Sequence, residues 1–218
     1  MTKLAIFDCD GTLIDGQASI CEAMEAAFAA QGLPLPERNE VRRAVGLSLP
    51  QAIARLSPQS DAQTCLAVTE AYKQAFRAAR AEGRLSQPLI EGIPQALDTL
   101  RAAGWRLGVA TGMSDRGLAH CLEAHGIADR FVTLQTADRH PSKPHPSMIR
   151  AALLEGAAEA AEAVMIGDTA FDMEMAKSAG VRALGVEWGY HAPAELRAAG
   201  AEFVSATPAA LSEYLLHG

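Results

Sequence analysis

From residue 89 onward, helix-like and strand-like segments take turns, and this alternation constrains the fold more than any other property of the sequence. A helix begins near Pro94, whose fixed φ suits a first helical turn, and it ends at Gly104. Strand 105–111, helix 115–125 closed by Gly126, strand 131–135 and helix 145–156 follow. Strand 163–166, helix 172–179 closed by Gly180, and strand 182–186 continue the series, and a short strand near 202–204 precedes a terminal helix. Helices that join successive strands of one sheet make those strands parallel, and a parallel sheet is covered on both faces. The expectation is an α/β fold: a three-layer, doubly wound, mainly parallel sheet of Rossmann-like type.

The apolar run Leu4–Phe7 supplies one more buried strand, far upstream of the alternation. Between the two lies a span without a convincing strand. Ile20, Met24, Ala27 and Phe28 share one helical face, and Gly32 with Pro34 closes that helix. Shorter helical pieces fall at 37–45 and 49–56, and a longer one over 60–82 carries Leu66, Ala71, Tyr72, Ala75, Phe76 and Ala79. We therefore expect residues 16–88 to form an inserted all-helical domain, and residues 1–15 and 89–218 to form the core. Asp15-Gly16 and Pro88 mark the expected hinges.

At 218 residues, 49% of them apolar, the chain is long enough to bury a substantial core. A net charge of −7 gives no general attraction to nucleic acid or acidic membranes, and neither is expected as a partner. The charge is uneven. Residues 16–88 hold eight Lys/Arg against seven Asp/Glu, so the remainder carries −8. A core this acidic needs a metal ion and a few placed cations to handle an anionic ligand. Cys9, Cys21, Cys65 and Cys121 are too widely spaced for a metal-ligand pattern and read as free thiols in a reducing cytoplasm. No apolar run reaches the roughly 18 residues of a membrane span, and Asp8 comes too early for a signal peptide. The expectation is a soluble cytoplasmic protein, with monomer or homodimer left open.

In an open parallel sheet, reactive groups gather at the carboxyl ends of the strands. The first strand ends in Asp8-Cys9-Asp10-Gly11-Thr12. Two acids separated by one residue, with a hydroxyl two residues further on, suit a nucleophile, an acid/base and a cation held in one place. The second strand ends in Ala110-Thr111-Gly112, and the loop after the third carries Ser142-Lys143-Pro144. The fourth ends in Gly167-Asp168 and leads to Asp172. Each residue alone has a plainer role available: a turn acid, a strand threonine, a lysine in a rigid loop, a helix-capping aspartate. Their order and convergence single them out. None of the six histidines has a metal-like spacing.

In the order and spacing of these motifs, the whole chain resembles the haloacid dehalogenase-like superfamily of phosphotransferases. That signature is a DxDGT strand end, a Ser/Thr strand end, a loop lysine and a late pair of acids. The resemblance lies closest to the phosphoglycolate phosphatase-like branch with a helical cap of the first type. It implies Mg²⁺-dependent hydrolysis of a small phosphorylated metabolite. Asp8 would be the nucleophile that forms an aspartyl-phosphate, and Asp10 would protonate the leaving oxygen and then deprotonate water. Asp8, the Asp10 carbonyl and Asp168 would bind Mg²⁺, a hard cation that prefers oxygen, with Asp172 supporting the metal site or orienting Lys143. Thr111 and the Gly112 N–H would hold phosphate oxygens, while Lys143 offsets the charge on Asp8 and the transferring group.

Two positions depart from the usual pattern: Gly112 stands where many relatives have Asn, and Gly16 where Ser is common. Within the expected cap, Arg42–Leu49 resembles the substrate-specificity segment, with Gly46 approaching the ligand. Arg42 or Arg43 could reach a substrate carboxylate, but the role of a solvent-facing helix charge is the favoured one. Asp10, Asp168 and Asp172 together argue against a dehalogenase, which needs neither that second acid nor Mg²⁺. A phosphonoacetaldehyde hydrolase needs a cap lysine, and the only lysine in 16–88 is Lys73, away from the specificity segment. A β-phosphoglucomutase, a sugar-phosphate phosphatase and a pyrophosphatase stay open as alternatives. The intact set of site residues disfavours a catalytically idle binding module.

Overall fold

The computed structural model describes residues 2–217. In chain order these form β1 (Leu4–Phe7), α1 (Gln17–Ala30), α2 (Arg38–Ala44), α3 (Leu49–Leu56), α4 (Ala62–Ala81) and α5 (Ile93–Ala102). Then come β2 (Arg106–Thr111), α6 (Asp115–Ala124), β3 (Thr133–Thr136), α7 (Ser147–Glu155), β4 (Ala163–Gly167) and α8 (Ala170–Ala179). The chain closes with β5 (Arg182–Val186), α9 (Pro193–Ala199), β6 (Phe203–Ser205) and α10 (Pro208–His217). Among the described residues, no helix is long and apolar enough to cross a membrane.

The six strands form one sheet in the order β3-β2-β1-β4-β5-β6, with every pairing parallel. Side chains alternate across a strand, and the two faces of this sheet are both apolar. Ala5, Phe7, Leu107, Val109, Val164 and Ile166 pack with α5, α6 and α10 on one side. Leu4, Ile6, Ala110, Ala163, Met165 and Ala183 pack with α7, α8 and α9 on the other. The expected three-layer, doubly wound α/β architecture is what forms.

One helix was not anticipated. The stretch after β5 carries α9, which starts with Pro193 in its first turn and Glu195 behind it, and stops at Gly200 in the left-handed region (φ 117°). Its start and stop signals are ordinary. At seven residues it is too short for an apolar periodicity to show.

Helices α1 to α4 gather around a separate apolar cluster of Ile20, Met24, Phe28, Val41, Ile53 and Val68. The chain enters and leaves this block side by side. The Asp15 N–H donates to the Pro88 carbonyl at 2.8 Å, and the Ile90 N–H donates to the Leu13 carbonyl at 3.0 Å. Because β1 has β2 on one side and β4 on the other, the chain winds away in both directions from its carboxyl end. That switch point is where an open parallel sheet leaves a crevice.

Candidate active site

Asp8 stands at the end of β1, anchored by its N–H to the Ile166 carbonyl (2.9 Å). Its Oδ1 accepts from the Cys9 N–H at 2.7 Å. Its Oδ2 lies 2.8 Å from Lys143 Nζ but makes no well-directed hydrogen bond, so this contact is an ion pair rather than a bonded one. Lys143 is itself buried, at 2% exposure, and its Nζ donates to Asp172 Oδ1 at 2.7 Å. A lysine so fully desolvated keeps its charge only beside acids. Burial alone pulls its pKa down, but Asp172 and Asp8 outweigh that and hold the ammonium form.

The late acids come from the start of α8. Asp172 occupies the third helical position, and its Oδ2 accepts from the Thr169 N–H (3.1 Å) and Oγ1 (2.8 Å). Thr169, not Asp172, is the N-cap; from the third position the one Asp172 carboxylate closes the capping box and holds Lys143. Asp168 Oδ1 accepts from Thr12 Oγ1 at 2.8 Å, and its Oδ2 accepts from the Tyr190 N–H at 2.9 Å. Thr111 lies buried at the end of β2, its hydroxyl accepting from the Met113 N–H at 3.3 Å.

Burial dominates the protonation of this group. It pushes the Asp8 carboxyl up to about 6, with Lys143 opposing and Asp172 reinforcing the rise. It pushes Asp10 up to about 7, aided by the neighbouring charge of Asp8. Asp168 is also raised, by burial first and then by Asp8 and Asp172. Asp10 Oδ1 is buried without a hydrogen-bond partner. An acid left without a donor and shifted toward neutrality is suited to exchanging a proton.

The donor set fits a hard divalent cation. Asp8, Asp168 and Asp172 each offer a carboxylate oxygen, all within 4.8 Å of one another and all buried. Three buried acids against one lysine leave negative charge unbalanced, and oxygen ligands are what Mg²⁺ prefers.

A cavity of about 540 Å³ runs from Asp8, Asp10 and Thr111 to the inner side of the helical block. Gly112 and Gly46 both line it. A Cβ on Gly112 would overlap the Leu47 carbonyl and lie 2.8 Å from the Gly46 carbonyl, so only glycine admits this approach of helical block to core. Gly46 sits at φ +95°, a conformation that glycine adopts without strain. The Ser48 N–H donates to Ser142 Oγ at 2.8 Å, tying the same segment to the loop of Lys143.

Arg43 does not meet the expectation of a ligand contact. It is absent from the cavity wall, and its guanidinium makes a two-pronged ion pair with Glu195 at 2.6 and 3.3 Å. Glu195 belongs to α9, the helix that sequence reasoning left out. Tyr190 was also missed. Its N–H supports Asp168 from the loop that follows β5.

Carboxylates and a single lysine at the switch point of a parallel sheet make this an α/β enzyme. The family model described as haloacid dehalogenase-like hydrolase matches residues 5–186, and the chain belongs to that family. A protein named probable phosphatase IndB, from Dickeya dadantii, is 36% identical over 206 residues, covering 91% of this chain and 87% of that protein. A phosphoglycolate phosphatase of Vibrio parahaemolyticus is 29% identical over 213 residues, covering 93% and 91% of the two chains. In fold, the chain is similar to a predicted phosphatase from Clostridium acetobutylicum, with a TM-score of 0.89, 23% identity and full coverage of both chains.

Proposed function

We propose that this protein is a Mg²⁺-dependent phosphatase of small phosphate monoesters, with 2-phosphoglycolate the first substrate to test. The observation that carries the reading is the pair of buried carboxylate oxygens, Asp8 Oδ2 and Asp10 Oδ1, neither of them hydrogen-bonded, beside one cavity. The kinship with proteins named phosphatase and phosphoglycolate phosphatase supports the same reading.

Asp8 Oδ2 bonds to phosphorus as the ester oxygen departs, and Asp10 gives that oxygen its proton. The product is an aspartyl-phosphate on Asp8. Asp10, now a carboxylate, takes a proton from water as the water oxygen bonds to phosphorus. The bond to Asp8 then breaks and inorganic phosphate is released. A pKa of about 7 suits Asp10 to both steps near neutral pH. Thr111 and the Gly112 N–H hold phosphate oxygens, and Lys143 keeps Asp8 ionised although burial disfavours its charge. Asp8, the Asp10 carbonyl and Asp168, supported by Asp172, would hold Mg²⁺, whose positive charge would let a phosphate dianion approach these carboxylates. Residues 16–88 act as a cap that excludes water.

Phosphate release over a panel of small esters, with Asp8→Asn as the blank, tests this. Activity is expected with Mg²⁺, is expected to vanish with chelator, and is expected to fall to background in Asp8→Asn. Turnover that survives the substitution or the chelator would overturn the mechanism. No preference for 2-phosphoglycolate over sugar phosphates and pyrophosphate would overturn the substrate.

A further inference from the structure

Among the described residues, three arginines in the cavity wall make no ion pair. Lys73, Arg77 and Arg80 recur along α4 at spacings of four and three residues and so share a helical face, and that face lines the cavity. Arg116 of α6 lines the same cavity. Lys73 is paired with Glu70 at 2.7 Å, but among the described residues Arg77, Arg80 and Arg116 have no carboxylate within ion-pair distance. Besides Asp8 and Asp10, the acid on this wall is Asp138, and its Oδ2 is taken by the Asp115 N–H at 2.9 Å.

Two further donors are left open. Arg80 Nε and Gln87 Nε2 are both buried without a hydrogen-bond partner, and both residues line the cavity. Each atom can only donate, so each lacks an acceptor. Burial and the nearby Arg116 charge disfavour the Arg80 cation. Arg77 and Arg116 are exposed, but like charges gathered without ion pairs around two buried, unmet donors are relieved by an anion. The transferring phosphate does not fill this role, since its place is at Asp8 and Thr111.

We propose that the cavity takes phosphate esters whose leaving group carries a second anion, a carboxylate or a further phosphate, held by Arg77, Arg80 and Arg116 with the Gln87 amide. This rests on the phosphatase reading and extends it. A volume of about 540 Å³ matches the roughly 300–1,000 Å³ of sites for drug-sized ligands. Leaving groups larger than the two carbons of glycolate therefore fit. A neutral leaving group abandons the donors to vacancy, and an unmet buried donor is a strong source of discrimination.

The test compares three sets of esters. 2-Phosphoglycolate and 3-phosphoglycerate carry a carboxylate, fructose 1,6-bisphosphate carries a second phosphate, and glycerol 1-phosphate and glucose 1-phosphate are neutral beyond the ester. kcat/KM is measured on the wild type, and Kd by calorimetry on Asp8→Asn, which holds the esters without turnover. At least one anionic set is expected to exceed the neutral set by about tenfold or more, as charge-assisted hydrogen bonds allow. Arg80→Gln and Arg116→Gln, made in both backgrounds, are expected to bring that ratio near one. Equal constants across the three sets would overturn the proposal, as would a preference that survives both substitutions. A preference in Kd without hydrolysis of any ester would leave the anion site standing and remove the phosphatase reading.

Discussion

Lys143 Nζ meets Asp172 Oδ1 at 2.7 Å with neither side chain exposed to solvent. Removing one member of a buried pair leaves the other charge uncompensated, at a loss of about 3–5 kcal/mol. Lys143→Met leaves Asp8, Asp168 and Asp172 as unrelieved like charges, so its loss should fall at the upper end of that range. Asp172→Asn leaves Lys143 paired with Asp8 and should lose less. Urea denaturation in the presence of chelator gives the order. Equal losses would mean that the contact of Lys143 with Asp8 contributes nothing to stability.

Arg43 and Glu195 join the helical block to the core through side chains about one-third exposed. A pair this open contributes at most about 1 kcal/mol to global stability. Its effect should instead be local. Arg43→Gln is expected to leave the melting temperature nearly unchanged and to speed amide exchange across α2 and the segment to Ser48. The pH dependence has a definite sign. Arg43 draws the Glu195 carboxyl from 4.5 down to about 2, so the pair stabilises above 4.5 and loses its effect as pH falls toward 2. The exchange difference between wild type and variant should hold at neutral pH and shrink below 4.5. A difference unchanged at pH 3 would show that the ion pair is not what closes this contact.

The same pair marks where sequence reading stopped. Strands such as Leu4–Phe7 and helices such as α1 and α4 are legible because each repeats one periodicity long enough to be recognised. Asp8, Thr111, Lys143 and Asp168 are legible because strand ends in a parallel sheet converge, whatever the loops between them do. The direction of an arginine on a seven-residue helix depends on what packs beside it. Here that neighbour is α9, itself too short to show a periodicity, so the ion pair of Arg43 with Glu195 is not legible in the sequence. Contacts such as Thr12 to Asp168 join residues 156 apart, and no local pattern encodes them. Arg77 and Arg80 share a face of α4, but a solvated face is the ordinary meaning of such spacing.

Gly112 faces the Leu47 and Gly46 carbonyls so closely that any Cβ must displace one backbone or the other. Its φ is not in the left-handed region, so Gly112→Ala introduces no backbone strain of its own. We expect a stability loss of about 1–3 kcal/mol, the usual range for overpacking against groups that must shift. Activity should fall as well, because displacing a substrate-facing segment by about 1 Å can lower turnover a hundredfold. Steady-state kinetics alongside thermal unfolding separates the two effects. Unchanged kinetics would mean that the segment around Leu47 yields freely and does not need to sit where it does.

Asp8, Asp168 and Asp172 hold carboxylate oxygens within 4.8 Å of one another inside the fold, an arrangement the unfolded chain does not keep. A cation that binds only the folded state stabilises it by mass action, by about 2.7 kcal/mol at a hundred times its Kd. Mg²⁺ should therefore raise the melting temperature of the wild type, and NaCl at matched ionic strength should not reproduce the rise. Asp168→Asn should invert this pattern. In chelator it relieves like-charge repulsion with Asp8 and Asp172, so its melting temperature should equal or exceed that of the wild type. In Mg²⁺ it lacks one ligand, so its gain should be small and the two unfolding curves should change order. An Asp168→Asn protein that gains as much from Mg²⁺ as the wild type would remove Asp168 from the metal-binding set.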